Sequence, residues 1–172
     1  ELGFEVNVPA GYGRAVWEAI FAAGKPYGIT PYGTATMHVL RAEKGYIIVG
    51  QETDGTVIPS DLGLGWTIAQ EKADFVGKRS LMLPNMLRHD RRQLVGLLSA
   101  DLLEEGAQVV SDGGGIGQVT SAYWSETRQS PIALALIAAG RSRIGELLQV
   151  QLEEGDIEAA KQFLREKGLA AS

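Results

Sequence analysis

The sequence predicts an α+β fold in two parts: a mixed helix-and-strand first half, then short antiparallel strands forming a barrel or sandwich. Three observations predict it. Residues 2–8 alternate apolar and polar as a strand does. Residues 15–23 and 34–43 place apolar side chains at helical spacing. Beyond Pro84 the pattern changes to short β-like runs separated by Gly, Asp and Ser.

In chain order, "ELGFEVNV" puts Leu2, Phe4, Val6 and Val8 on one face of the first expected strand. A core strand this early suggests a larger protein cut short at its N-terminus. Pro9 and Gly11 then open a helix through Ala15, Val16, Ile20 and Phe21, with Gly24 as its stop. "KPYGITPYG" is a loop. The next helix, Thr34 to Glu43, puts Met37, Leu40 and Arg41 on one face, with Leu40 packing inward, and Gly45 ends it. "YIIVG" and "WTIA" read as short strands, with the loop "QETDGTVIPSDLGLG" between them. A short helix is expected from about Lys78. Pro84 followed by "RHDRR" marks a boundary, giving domains at 1–84 and 91–172. "RQLVGLLSA", "AQVVSDGGGIGQVTSAYW", "PIALALIAAG" and "ELLQVQLEEG" supply the second half's strands. Residues 156–168 close the chain as an amphipathic helix capped by Asp156.

Composition narrows the function. The chain has 172 residues, 45% of them hydrophobic, and a net charge of -5. A negative chain whose one basic block is "RHDRR" is not built for nucleic acid. Without cysteine there is no disulfide framework, thiolate zinc site or thiol nucleophile. Two histidines, His38 and His89, are too few for a His-rich metal site. No apolar run is long enough to cross a bilayer and no leader pattern opens the chain, so it reads as cytoplasmic.

Local motifs exclude more than they assign. "GGGIG" at 113–117 lies between β-like runs and no Lys-Ser/Thr follows it, so it is a hairpin tip rather than a phosphate loop. No Gly-x-Ser-x-Gly elbow occurs. Glu1, Glu5, Glu43, Glu52, Asp54 and Asp61 crowd the first half. A carboxylate offers two forked acceptors, suited to a ring N–H beside an exocyclic amine, as on a pterin edge. Most of the six are expected at the surface. In "HVLRAEKGYIIVGQETDGT", Arg41 and Glu43 lie two residues apart and point away from each other. They are expected to tie the helix to neighbouring backbone or to the loop "QETDGTVIPSD".

Four stretches together resemble the folate-binding aminomethyltransferase, or glycine-cleavage T-protein, family. They are "ELGFEVNVP", "LRAEKGYIIVGQETDGTVIPSDLGLGW", "DFVGKRSL" and "GIGQVTSAYWSETRQSPIALALI". They are similar to its Gly-Glu-x-Gly-Phe-Glu, Leu-Arg-x-Glu-x-Gly and Asp-Phe-Ile-Gly-Lys/Arg segments and its barrel signature. "PYGTATMHVLRAEKGYIIVGQETDGTV" resembles most the α-subunit branch of the heterotetrameric sarcosine oxidases. The match in order and spacing runs over about residues 1–150.

The resemblance implies a ferredoxin-like α/β half-domain followed by a small antiparallel β-barrel. It implies tetrahydrofolate as the cofactor, with FAD and NAD elsewhere in a larger complex and other oxidase subunits as partners. In that branch the imine from sarcosine oxidation is captured as methylenetetrahydrofolate. The family's pterin-anchoring Glu maps to Glu1, and its assisting aspartate has no counterpart here, so no catalytic residue is carried over. Phe4, Trp66, Tyr123 and Trp124 are candidate walls of a folate pocket, and Arg128 a candidate for the ligand's negative tail. Core packing competes for each aromatic, and a solvated loop charge for Arg128. Where the T-protein proper carries Gly-Ala-Arg-Asp this chain has "ATMH", and the family's Arg aligns with Met37, so that contact is not carried over. A rival reading is a non-catalytic structural or subunit-docking module.

Overall fold

The computed structural model describes residues 2–151; Glu1 and residues 152–172, with the expected helix at 156–168, lie outside the described residues. The chain divides into two compact units, Glu1–Thr34 and Ala35–Ser172.

The first unit is built around α1, Gly13–Gly24, which a 3-10 turn over Lys25–Tyr27 extends. The helix stops where the sequence places its stop, because the Ile29 side chain sits where a Gly24 Cβ would be, 2.7 Å away. The Ile29 N–H closes the turn on the Gly24 carbonyl at 3.2 Å. Residues 2–8 form no strand. Alternation alone does not make one: a strand needs a hydrogen-bonded neighbour, and no described residue pairs with this segment. Leu2 and Phe4 are each 84% exposed.

The second unit opens with α2, Thr34–Lys44. Here the structure reverses an expectation. Met37 and Leu40 face outward, whereas Arg41 and Ala42 are buried. Ala42 lets the helix lie close on the sheet, packing with Ile132 and Leu134. The loop from Gly45 to Leu64 follows. "YIIVG" contributes only a single bridge, Val49 to Thr53, and "WTIA" holds a 3-10 turn at Gly65–Thr67. The loop's polar groups are satisfied by side chains instead of a strand ladder, as the site geometry below shows.

Beyond Pro84 the expected strands appear: β1 Arg92–Leu98, β2 Gln108–Ser111, β3 Gly114–Ser125, β4 Ser130–Ala138 and β5 Gln149–Gln151. They make one antiparallel sheet in the order β1-β4-β3-β2-β5. The glycine cluster is a hairpin: Asp112 and Gly113 form the two-residue turn with φ of 51° and 76°. β4 lies between β1 and β3, and its residues Pro131–Ile137 are buried on both faces. That is why "PIALALIA" runs apolar without alternation. Ala133, Ala135 and Ile137 meet Val109 and Val119 in the main core. Ile132 and Leu134 face α2.

Candidate functional site

The most elaborate polar arrangement joins α2, the loop after it and β3. Glu52 is fully buried and Arg41 is 8% exposed. Arg41 Nη1 meets Glu52 Oε2 at 2.9 Å. The other carboxylate oxygen accepts from the Ser121 hydroxyl at 2.5 Å, and Oε2 also accepts the Ile48 N–H at 2.8 Å. Arg41 Nη2 reaches Ser121 Oγ at 2.6 Å, Gln51 Oε1 at 3.0 Å and the Tyr123 hydroxyl at 3.2 Å. Its Nη1 also donates to the Tyr46 carbonyl. Burial opposes ionisation of Glu52. The Ser121, Ile48 and Arg41 hydrogen bonds and the arginine charge outweigh it and hold the carboxyl below its ordinary range.

Ser121 reaches this network because β3 carries a bulge between Val119 and Ser121. The extra residue breaks the strand's two-residue alternation, so Val119, Thr120 and Ser121 are all buried. Thr120 spends its hydroxyl on the Leu134 carbonyl at 3.2 Å.

Two further anchors fix the same loop and helix. Asp61, 4% exposed, takes Arg91 through both oxygens, with Nη2 at 2.6 Å and Nε at 3.1 Å, and accepts the Ile58 N–H at 3.0 Å. The Asp61 carbonyl accepts the Leu94 N–H, which ties the loop to β1. Glu43 accepts the Ser125 hydroxyl at 2.5 Å and the Thr127 hydroxyl at 3.1 Å, beyond the end of β3. The Ser125 bond is the main cause holding the Glu43 carboxyl below its ordinary range, with Thr127 and the Arg128 charge assisting against burial. Arg41 therefore binds the loop as expected, but Glu43 binds the turn of the sheet. Of the early carboxylates, Glu5 and Asp54 are exposed, Glu43 is half-buried with its hydroxyl partners, and Glu52 and Asp61 are buried against the expectation of a surface place.

The sequence-predicted site residues separate. Glu1 lies outside the described residues. Phe4 is exposed on the first unit, and Trp66 stands 82% exposed on the 3-10 turn. Tyr123 and Trp124 are consecutive on β3 and so point to opposite faces. Tyr123 is half-buried, its ring 5.7 Å from the Arg41 guanidinium and edge-on to His38 at 6.5 Å. The Trp124 Nε1 is buried without a hydrogen-bond acceptor among the described residues. Arg128 is exposed, its backbone N–H donating to Ser125 Oγ at 3.0 Å. Sequence reasoning named Glu52 and Asp61 only within a set expected mostly at the surface, and gave Ser121 and Arg91 no role. The signal available for Ser121 was a pair of polar residues, Thr120-Ser121, inside an otherwise apolar strand.

No described helix is long and apolar enough to cross a membrane, and no cluster of metal-binding side chains occurs among the described residues. Comparison with known proteins places this architecture. The profile of the GCVT N-terminal domain matches residues 1–72, and that of the glycine cleavage T-protein C-terminal barrel domain matches residues 92–163. The chain is 52% identical over 160 residues to the sarcosine oxidase subunit alpha of Corynebacterium sp. (strain P-1), covering 87% of this chain and 16% of that protein. It is 34% identical over 161 residues to the aminomethyltransferase of Caldanaerobacter subterraneus, covering 92% of this chain and 43% of that protein. It thus spans about a sixth of the first relative and under half of the second. The crystal structure of glycine cleavage system aminomethyltransferase T from Bartonella henselae shares the fold, with a TM-score of 0.69 at 24% identity over 85% of this chain and 41% of that one. The chain belongs to the glycine cleavage T-protein family and carries sequence of both its N-terminal domain and its C-terminal barrel.

Proposed function

We propose that this chain is the tetrahydrofolate-binding, aminomethyltransferase-like module of a sarcosine oxidase α subunit. The observation that carries the reading is the 52% identity to such a subunit, sustained across both family domains. Its place in the larger enzyme is to hold the reduced folate that captures the imine from sarcosine oxidation. FAD, NAD and the other subunits belong to the rest of that assembly. The proposed domain boundary, between residues 84 and 91, lies inside the stretch 73–91 that neither matched segment covers.

The residues present fit a bound pterin in part. Carboxylates are the natural partners of its donor edge. Glu43, Glu52, Asp54 and Asp61 are all committed to protein donors. Glu1 and Glu5 are the remaining early carboxylates, which supports Glu1 as the anchor. Phe4 and Trp66 expose most of their rings and are available to stack, and Tyr123 offers a ring held in place by Arg41 and His38. Arg128 is an exposed cation available to the ligand's carboxylates. Trp124, half-buried opposite Pro131, is the fourth aromatic of the set.

Calorimetric titration of the chain with a reduced folate tests the reading, run beside Glu1→Gln and Glu5→Gln. Saturable binding that weakens at least tenfold in the Glu1 variant and is unchanged in the Glu5 variant is expected. No binding by the parent would remove the folate reading. It would favour the subunit-docking alternative, which the exposed Leu2, Phe4, Trp17 and Tyr27 of the first unit support.

A further inference from the structure

The basic run "RHDRR" plays no part in that reading, yet it lines a built feature. Arg88, Arg91 and Arg92 border a polar cleft of about 390 Å³ on the second unit, with Asn85, Gln118 and Leu136 along its other sides. The sheet places them there. Leu94 pairs with Leu136 and Leu136 with Gln118, and Arg92 lies two residues before Leu94, so all four share one face.

Two of the cleft's three arginines are committed to acids, and the third is not. Asp61 is neutralised by Arg91, whose remaining N–H groups go to the Thr56 and Asn85 carbonyls. Arg88 is paired with Asp90. Asp54 is the one acid of the cleft not paired with an arginine; its Oδ1 accepts from the Thr56 N–H and hydroxyl at 2.7 and 2.6 Å. Arg92 lines the same cleft, and its side chain makes no hydrogen bond or ion pair among the described residues. The carboxamides of Gln118 and Asn85 likewise hold no hydrogen bond there. A planar guanidinium lining the same cleft as two unengaged carboxamides suits an oxyanion, which accepts several hydrogen bonds at once.

We propose that this cleft binds a small oxyanion, a carboxylate or a phosphate, with Arg92 as its charged ligand and Gln118 and Asn85 as supporting donors. Asp54 limits its affinity by repulsion. Arg92, Gln118 and Asn85 are not among the candidate folate contacts named above.

The full chain is titrated calorimetrically at low chloride with inorganic phosphate and, separately, with succinate. Arg92→Gln and Asp54→Asn variants are run alongside. Amide NMR follows the side chains of Asn85 and Gln118. Saturable binding of at least one anion is expected, weakened about tenfold or more in Arg92→Gln and tightened in Asp54→Asn, with both side-chain amide signals shifting on titration. Binding of phosphate alone or succinate alone identifies which source of the oxyanion the site takes. Because Arg92 holds no other group, its variant should melt with the parent. No saturable binding of either anion, or equal binding by the Arg92→Gln chain, overturns the proposal.

Discussion

Arg41 carries its charge into the interior only because Glu52 meets it there. A buried pair of this kind is costly to break, since removing one charge strands the other. Glu52→Gln keeps the shape and loses the charge, and should cost about 3–5 kcal/mol in chemical denaturation. The double variant Arg41→Met, Glu52→Leu should recover much of that loss, because two apolar side chains leave no stranded ion. The same residue sets an acid limit. Its folded carboxyl lies below the ordinary value of 4.5, so the stability it contributes is full above that value. That stability is lost as pH falls through the lower folded value. Glu52→Gln should flatten this part of the acid limb in a pH series of denaturation midpoints. Glu43, half-buried and bonded to two hydroxyls, is worth less: Glu43→Gln should cost about 1 kcal/mol.

Among the elements, β3 is the one whose geometry leaves least freedom. Gly117 lies so close to β4 that an added Cβ would stand 2.1 Å from the Leu136 carbonyl oxygen and 2.9 Å from Ile137 Cα. Both are backbone atoms and cannot rotate aside. Gly117→Ala should therefore destabilise the sheet by about 3 kcal/mol or more, measured by thermal or urea unfolding. The second-half strands were legible because period-two runs, Gly-rich turns and one uninterrupted apolar strand each point to the same architecture. The bulge at Thr120 was not, since the adjacent polar pair Thr120-Ser121 does not by itself say which residue is the extra one. Nor was the orientation of α2: Met37 and Leu40 are the apolar residues, so amphipathic reasoning turned them inward. The buried acceptors at Glu52 and Ser121 lie far off in sequence and draw Arg41 in instead. Residues 2–8 and 46–50 failed as strands for a related reason, because pairing depends on a neighbour that local pattern does not reveal.

Across the second unit, the loop from Gly45 to Leu64 behaves as part of the sheet's structure. Glu52 and Asp61 fasten it to β3 and β1 from two separate points. Hydrogen exchange should show the Ile48 and Ile58 amides protected, although both lie in a segment without strand pairing. In Glu52→Gln the Ile48 amide should exchange faster while Ile58, held by Asp61, keeps its rate. Equal acceleration of both would mean the two fastenings act as one. The candidate site was read only in outline. Family resemblance pointed to Glu1, Phe4, Trp66, Tyr123, Trp124 and Arg128, and the geometry supplies Tyr123 with a fixed orientation through Arg41 and His38. The ion pairs that shape the surrounding scaffold were not legible. They join Arg41 to Glu52 and Asp61 to Arg91 across an irregular loop, and a lone Arg or Glu in a sequence does not name its counterpart.

The strand β4 has a consequence for how the chain must be made. From Ile132 to Ala139 it carries no charge, and in the finished fold every residue through Ile137 is shielded on both sides. During synthesis that same stretch emerges bare. It has the uncharged, apolar character of segments that pair with copies of themselves. Arg128 before it and Arg141 after it are the nearest charges able to discourage such pairing. Yield and solubility should therefore depend on how quickly β1 and β3 close over β4.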